Sequence, residues 1–252
     1  MELSRFRMPP SVCSYLPGET ASLEYSIRDS IEARRYEALL ERGWRRHGRC
    51  FFRPACPSCL QCRSLRVDVA AFTPTKSQRR TLRRNADVEI EVATPAASPD
   101  HVRLYNAWHA DMHVRRGWRN DETTIDDYAE AFLAGDWPFA REIRYWRSGQ
   151  LLGVGLIDEV PAALSSVYFY YDPAWRAAGP GTLSILTEID FAKRTHRRWL
   201  YLGYWIAACP SMAYKSNYRP HELLAAYVDD SQAAQWKRSD DCIDSPKQIA
   251  TP

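Results

Sequence analysis

The chain has 252 residues, of which 45% are hydrophobic and 26% charged, and its formal net charge is only +3 at pH 7. This composition is typical of a soluble globular protein, and the length allows one large domain or two small ones. No run of 18 apolar residues and no apolar segment like that of a signal peptide is present, so we expect a cytoplasmic protein without a membrane partner.

The basic residues are unevenly distributed. They form three clusters: Arg42, Arg45, Arg46, Arg49 and Arg53; Lys76, Arg79, Arg80, Arg83 and Arg84; and Lys193, Arg194, Arg197 and Arg198. Phosphate binding depends on local charge and not on the net charge. Each cluster alone is compatible with a solvated surface, but three together favour a nucleic-acid partner.

The N-terminal third is predicted to contain few regular elements. Residues 1–18 are rich in proline, which predicts an irregular segment. Residues 31–42 have the apolar spacing of a helix, which Gly43 would end. Residues 44–53 alternate aromatic and basic side chains, which predicts one strand with a basic face.

A group of cysteines follows this strand. Cys56, Cys59 and Cys62 are separated by two residues each, a spacing that suits a tetrahedral metal ion or an iron–sulfur cluster with a fourth thiolate, for which Cys13 is the candidate. The chain has seven cysteines and no export signal, which favours thiols or a metal site over disulfides. A reduced turn without metal is the alternative, and the spacing does not distinguish zinc from iron–sulfur.

Residues 65–69 and 88–92 are predicted strands, and a basic helix over 77–85 between them is opened by a cap at Thr75 or Ser77. Residues 94–99 are rich in proline, alanine and serine, and they are the predicted domain boundary.

The second part of the chain predicts an ordered series of elements. These are helices over 101–115 and 125–133, a hairpin of strands 141–146 and 151–158, a strand over 164–171, a helix over 182–193, a strand over 199–204 and a last strand over 223–228. The order strand, strand, strand, helix, strand indicates a mixed sheet of the acyltransferase type. His109 and His113 are spaced for metal binding on a helix, but no carboxylate motif accompanies them, so we do not predict a site there.

A glycine-rich turn precedes the helix at residue 182. Gly179 and Gly181 allow a phosphate or oxyanion to approach the unpaired amides of a helix N-terminus. Residues 176–181 also fit the R/Q-x-x-G-x-G/A turn of the GNAT acyltransferases, although an ordinary connection before a core helix is an alternative.

Several segments together resemble the aminoacyl-tRNA–protein transferases of the N-degron pathway, and in particular the bacterial aspartate/glutamate leucyltransferases. They are Cys13-Ser-Tyr-Leu-Pro17, Tyr36-Glu-Ala-Leu-Leu40, Gly43-Trp-Arg-Arg46, Phe52-Arg-Pro54 with the three cysteines, Ser77-Gln-Arg-Arg80, Gly153 to Asp158, Leu164 to Pro173, Gly181 to Ser184, and Tyr201 to Ile206 with Cys209, Met212, Tyr214, Lys215 and Tyr218 to Pro220. The order and spacing of these segments extend from residue 11 to about residue 224. Residues 178–180, 207–208 and 115–120 depart from the family pattern.

This resemblance implies an α+β fold, with a GNAT-like acyltransferase mixed sheet and helices over 94–228, a smaller cysteine-bearing section over 1–93 and a polar tail over 229–252. It implies an enzyme that moves leucine from Leu-tRNA to proteins beginning with Asp or Glu, which marks them for degradation. An iron–sulfur cluster or zinc at Cys13, Cys56, Cys59 and Cys62 is implied but no cofactor is certain. The alternatives are arginine as the donor amino acid, an acyl-CoA N-acetyltransferase, and a non-catalytic RNA-binding module.

The reaction needs groups that position an amine against an ester and accept its proton. By resemblance, Asp158, Tyr168 and Tyr204 are the candidate catalytic residues. The candidate contacts to the aminoacyl group and the tRNA are Gly179, Gly181, Thr182, Tyr170, Tyr214, Lys215, Arg219, Arg79 and Arg80, with further tRNA contacts from the basic residues of 45–53. For Lys215 and Arg219 the alternative to the phosphates of the terminal adenosine is the acidic side chain of the acceptor.

Overall fold

A computed structural model describes residues 1–238, and the fold is α+β, as predicted. The strands are β1 Glu2–Arg7, β2 Ser11–Val12, β3 Thr20–Ala21, β4 Leu23–Arg28, β5 Arg45–His47, β6 Cys50–Pro54, β7 Arg63–Asp68, β8 Glu89–Ala93, β9 Ala140–Arg147, β10 Gln150–Glu159, β11 Ala163–Tyr171, β12 Trp199–Trp205, β13 His221–Leu224 and β14 Trp236–Arg238. The α-helices are α1 Ala33–Glu41, α2 Lys76–Arg84, α3 Pro99–Arg116, α4 Ile125–Phe132, α5 Pro180–Arg194 and α6 Pro210–Ala213. Two 3₁₀ segments, Pro173–Ala178 and Tyr214–Asn217, lie beside α5 and α6. Over the described residues, no helix combines the length and the hydropathy that a membrane span requires.

The fold is organised by an eight-stranded sheet with the order β14-β13-β7-β12-β11-β10-β9-β8. Neighbouring strands are antiparallel except β11 and β12, which are parallel and are connected by α5. A smaller sheet with the order β1-β4-β6-β5 packs beside it, and β2 pairs with β3. The predicted order of elements over residues 141–204 is therefore confirmed.

The two faces of the large sheet are covered by different helices. Leu152 and Ile157 of β10 lie in one buried cluster with α5, and Val154 and Leu156 lie in another with α3 and α4. Successive residues of a strand point to opposite faces, so the sheet separates an α5 layer from an α3/α4 layer.

Several local signals are confirmed. Gly43 follows α1 with a φ of 83°, as a helix-ending glycine does. Thr75 caps α2 and forms a capping box with Gln78. Ser148 and Gly149 both have positive φ at the turn of the β9–β10 hairpin.

The N-terminal predictions require correction. Residues 1–18 are not wholly irregular, because β1 pairs along β4 and β2 pairs with β3. Residues 44–53 form two strands and not one, since Gly48 turns the chain with a φ of 53° between β5 and β6. The basic face predicted for this segment is buried at Arg45, Arg46 and Arg53, so it cannot contact tRNA phosphates.

The large sheet crosses the predicted domain boundary. β7 belongs to residues 1–93, yet it pairs with both β12 and β13. β14 belongs to the predicted polar tail, yet it pairs with β13, and Arg5 forms an ion pair with Asp230. The tail from residue 229 is thus ordered as far as residue 238, and residues 239–252 of the same prediction lie outside the described part.

Candidate active site

The parallel strands β11 and β12 are paired only over Ala163–Ser165 and Trp199–Tyr201. Beyond this point β11 continues along β10 and β12 continues along β7, so the two strands separate, and the side chain of Arg45 lies between Ser166 and Gly203. We call the place where they separate the β11–β12 gap; it is lined by Arg45, Ser166, Glu188 and Gly203. The gap lies at the carboxyl ends of parallel strands, a common position for ligand sites.

A β-bulge in β11 determines which side chains face the gap. Ser166 pairs with Ile157 and Tyr168 pairs with Leu156, so Val167 is an extra residue that interrupts the register. Bulges re-aim side chains. Ser166 consequently faces the α5 layer, whereas Tyr168 and Tyr170 face the α3/α4 layer.

Arg45 extends from β5 of the small sheet into the gap. Its Nη2 donates to the backbone carbonyl of Ser166. On the other side is Gly203, which has a φ of 79°; a Cβ at this position would lie 3.5 Å from Nε and Nη2 of Arg45. A glycine therefore allows both the backbone conformation and the close approach of the guanidinium.

Glu188 enters the same region from α5 and is only 1% exposed. The hydroxyls of Ser166 and Ser184 both donate to its Oε1, each at 3.3 Å. Burial raises the pKa of Glu188 to about 7, against the opposing effects of the two serine hydrogen bonds and the charge of Arg45. This carboxyl group can change its protonation state near neutral pH.

Two buried polar atoms at this place lack partners. Among the described residues, neither Nη1 of Arg45 nor Oε2 of Glu188 has a hydrogen-bond partner. Most buried polar side-chain atoms are paired, so an unpaired donor next to an unpaired acceptor makes this place a candidate binding position.

The 3₁₀ segment Tyr214–Asn217 packs against β12, and its first residue reaches the protein surface. Tyr214 is 45% exposed, but its hydroxyl is the buried end, because burial and then the charge of Glu188 raise the pKa of this tyrosine. Gly181 at the start of α5 is exposed, and no atom lies within 4 Å of a Cβ built there. Tyr214 and the helix N-terminus are thus both at the protein surface.

Helix α2 flanks this surface. Nε2 of Gln78 donates to the carbonyl of Asn217 at 3.4 Å, and Gly179 packs against Thr81. The basic side chains of α2 point to solvent; they are Lys76, Arg79, Arg80, Arg83 and Arg84. A dense positive surface therefore lies next to the start of α5.

The structure places Asp158 away from the gap. It is fully buried and accepts two hydrogen bonds from Arg46, 3.0 Å from Nε to Oδ2 and 2.5 Å from Nη2 to Oδ1. A carboxylate enclosed in a bidentate ion pair has no contact with a substrate amine. We therefore revise its predicted role from proton acceptor to partner of a buried ion pair.

The predicted tyrosines are also occupied elsewhere. The hydroxyl of Tyr204 donates to the carbonyls of Gly43 and Phe52, which leaves no donor for an oxyanion. Tyr168 lies 3.1 Å from Nε2 of His109, and Tyr170 contacts the hydroxyl of Tyr128 at 2.7 Å, both in the α3/α4 layer. None of the three side chains faces the β11–β12 gap.

Lys215 has a structural contact in place of the phosphate contact that was predicted. Its Nζ is buried, donates to the carbonyl of Tyr204 at 2.7 Å and lies 3.3 Å from the sulfur of Met212. Burial and the nearby Arg45 charge lower its pKa to about 7. Arg219 is exposed next to this segment.

The turn before α5 also differs from the prediction in one respect. Gly179 has a φ of 78° and precedes the first turn of α5, so Gly179, Gly181 and Thr182 lie together at the helix start. Arg176, the first residue of the GNAT-like pattern, forms a bidentate ion pair with Asp111 of α3. This ion pair holds the turn against α3.

The predicted metal-binding cysteines lie near one another. Cys13, Cys59 and Cys62 pack against buried Cys209, and burial followed by the neighbouring thiolates raises the pKa of Cys62 to about 12. Cys56 instead donates to the carbonyl of Ser22 at 3.6 Å. Within residues 1–238, no three His, Cys, Asp or Glu side chains are arranged to hold a metal ion. The metal site at these cysteines remains a prediction, and no chemical step is derived from it.

Glu188 was not among the predicted site residues, and Arg45 was predicted only as a contact to the tRNA backbone, although the sequence contains a signal for each at this site. Glu188 is a single acidic residue among the apolar positions Leu186 and Ile189 of a core helix. Arg45 and Arg46 are adjacent on a strand, so one of them must point inwards. A charged residue at a core position is costly unless it has a function or a partner.

The family follows from both halves of the chain. Residues 11–80 match the sequence model of the arginine-tRNA-protein transferase N terminus, and residues 100–225 match that of the C terminus. The chain therefore belongs to the arginine-tRNA-protein transferase family, whose members are aminoacyltransferases.

The relatives with similar sequences include three aspartate/glutamate leucyltransferases. The aspartate/glutamate leucyltransferase of Helicobacter hepaticus is 35% identical over 94% of this chain and 98% of its own length. Those of Halorhodospira halophila and Aeromonas salmonicida are 40% and 37% identical, over 84% and 92% of this chain and 90% and 93% of their own lengths.

Solved structures are more distantly similar. The C-terminal domain of a putative lysylphosphatidylglycerol synthetase from Agrobacterium fabrum is 11% identical with a TM-score of 0.43, covering 58% of this chain and 47% of its own. FemX is 9% identical with a TM-score of 0.42, covering 79% of each chain.

Proposed function

We propose that this chain transfers leucine from Leu-tRNA to the N-terminal Asp or Glu of acceptor proteins, and thereby marks those proteins for degradation. The observation that carries the proposal is the similarity along almost the whole chain to relatives named aspartate/glutamate leucyltransferase. A tRNA donor places the reaction in the cytoplasm.

In this reaction the α-amino group of the acceptor attacks the ester carbonyl of the aminoacyl-tRNA. An amide bond forms, the ester bond to the terminal ribose breaks, and the ribose hydroxyl leaves with a proton as the amine loses one. The ester is already activated, so the protein mainly has to align the reactants, which contributes up to roughly 7–11 kcal/mol in favourable cases. An α-amino group has a pKa of about 7.7–8.0, so a large share of it is already a neutral nucleophile at pH 8.

The surface around the gap suits the tRNA end of the donor. The amides at the start of α5, beside Gly181 and Thr182, attract a phosphate of the terminal nucleotides. Arg79 and Arg80 on the exposed face of α2 are placed to contact the acceptor stem through its phosphates. These contacts direct the esterified amino acid into the β11–β12 gap.

The acceptor approaches from the side of the 3₁₀ segment Tyr214–Asn217. Tyr214 is exposed on this side, and the exposed Arg219 follows the same 3₁₀ segment and donates to the carbonyl of Ser216 at 3.4 Å. A guanidinium matches the carboxylate of an N-terminal Asp or Glu, so Arg219 is the proposed contact for the acidic side chain.

A transfer assay tests this function. The purified protein is incubated with an Asp-starting peptide and either Leu-tRNA, Arg-tRNA or acetyl-CoA. We expect product from Leu-tRNA, with little from the other two donors, and no product from an Ala-starting peptide. Transfer from Arg-tRNA would make arginine the donor, transfer from acetyl-CoA would indicate an N-acetyltransferase, and tight tRNA binding without turnover would indicate a binding module.

A further inference from the structure

The two side chains that carry the unpaired atoms, Arg45 and Glu188, are both hydrogen-bonded to Ser166. Ser166 accepts a hydrogen bond from Arg45 through its backbone carbonyl and donates one to Glu188 through its hydroxyl. Ser184 adds a second donor to the same oxygen of Glu188. Each side chain is thereby fixed by one end and keeps its other polar atom, Nη1 or Oε2, without a partner among the described residues.

A ligand for this pair must offer an acceptor to the guanidinium and a donor to the carboxylate. In an aminoacyl ester, the carbonyl oxygen and the α-ammonium group are attached to neighbouring carbons, so they can meet two adjacent protein groups at the same time.

We propose that the β11–β12 gap is a subsite for the donor amino acid, in which Glu188 binds its free α-ammonium group and Arg45 binds its ester carbonyl. This inference rests on the proposed function and specifies how the site selects an aminoacyl group. Arg45 also polarises the carbonyl and stabilises the oxyanion that forms during attack.

The acceptor amine is a poorer fit to the same place. An amine next to the carboxylate is held as an ammonium ion, which has no lone pair with which to attack the ester. The donor α-amino group takes no part in bond making, so retaining its proton does not slow the reaction. The acceptor therefore approaches from the Tyr214 side, across the face of the carbonyl.

The test compares two donors, Leu-tRNA and tRNA esterified with the deamino analogue of leucine, 4-methylpentanoic acid, in which a hydrogen atom replaces the amine and no donor to the carboxylate remains. We expect the wild-type protein to prefer Leu-tRNA in kcat/KM by about 10- to 100-fold, the range for a hydrogen bond between charged groups. Glu188→Gln should reduce kcat/KM for Leu-tRNA and leave the analogue nearly unaffected, so that the preference falls to within about threefold.

Two matched variants serve as controls. Glu142 is another buried carboxyl, paired with His101 and Arg144 away from the gap. Glu142→Gln should leave the ratio between the two donors unchanged, even where it lowers stability. Arg45→Lys removes the unpaired Nη1 and should lower kcat/KM for both donors by the same factor, because both carry the ester carbonyl.

An equal loss for both donors in Glu188→Gln, or no preference in the wild-type protein, would overturn the subsite. Failure of the proposed function has a different signature, namely no leucine transfer by the wild-type protein. In that case binding decides: L-leucine methyl ester should raise the Tm of the wild-type protein but not of Glu188→Gln, and the methyl ester of the deamino analogue should raise neither. Equal stabilisation of both proteins by L-leucine methyl ester would contradict the assignment.

Discussion

Glu188 illustrates how a single buried residue connects the packing of this protein with its chemistry. The side chain lies on a helix that is otherwise part of the core, and among the described residues its carboxyl accepts hydrogen bonds from Ser166 and Ser184. Burying an ionised carboxylate with incomplete pairing is unfavourable, so the folded protein favours the protonated form in the absence of a ligand. A cationic group in the gap would compensate this cost.

The stability of the protein without ligand should therefore depend on Glu188 in a defined pH range. The pKa is about 7 in the folded state against the ordinary 4.5, so the stabilisation by protonated Glu188 is complete below pH 4.5 and is lost as the pH rises to about 7. The difference between the two values corresponds to roughly 3 kcal/mol.

Glu188→Gln removes this pH dependence, so the Tm of the variant minus that of the wild-type protein should increase by several degrees between pH 5 and pH 8. Lys215, whose pKa is also about 7, titrates in both proteins. Its effect on the Tm therefore largely cancels when the two Tm values are subtracted. A difference that stays constant with pH would show that Glu188 is not desolvated.

Asp158 has a different role at the residue scale, since its charge is already paired. Asp158→Asn leaves Arg46 as an uncompensated buried charge and should lower the free energy of unfolding by about 3–5 kcal/mol. Replacing Arg46 by Met in the same variant removes the unpaired charge and should recover part of this loss.

At a temperature where Asp158→Asn remains folded, its kcat for leucine transfer should stay within a few-fold of wild type. Denaturation curves and transfer assays on the same preparation separate the two effects. A variant of unchanged stability with a kcat reduced 100-fold or more would return Asp158 to the mechanism as the proton acceptor.

At the scale of elements, the sequence predicts those features that depend only on residues close together in the chain. The cap at Thr75, the hairpin turn at Ser148 and the helix end at Gly43 all follow from local backbone chemistry. The bulge at Val167 could not be predicted, because it is defined by pairing with β10. It is this bulge that turns Tyr168 away from the gap and Ser166 towards it.

The basic face of α2 is the element expected to bind the tRNA. Arg79→Glu with Arg80→Glu should raise the KM for Leu-tRNA at least tenfold, and wild-type binding should weaken steeply with salt. The matched control is Arg194→Glu with Arg198→Glu, at and beyond the far end of α5, which we expect to change the KM by less than twofold. Filter-binding titrations at several salt concentrations measure both pairs, and equal effects of the two would show nonspecific attraction in place of a site.

At the scale of the whole molecule, the order of elements over residues 141–204 was predictable and the position of β7 was not. The pattern of residues 65–69 predicts a strand but carries no information about its partners, which are β12 and β13 from the other end of the chain. The same limit applies to Arg45, which reaches the gap only because the small sheet packs beside the large one. The proposed active site is thus assembled from both parts of the chain, whereas sequence reasoning confined to one part selected Asp158 and Tyr204 instead of Arg45 and Glu188.

The central claim is that the donor amino acid binds in the β11–β12 gap. Its most direct test is a crystal structure of the complex with a stable analogue in which leucine is joined to the terminal adenosine by an amide. The account predicts that the leucyl α-nitrogen lies within hydrogen-bonding distance of Oε2 of Glu188, the carbonyl oxygen beside Nη1 of Arg45, and the adenosine near Gly181. An analogue bound in the α3/α4 layer beside Tyr168, with the gap closed, would contradict it.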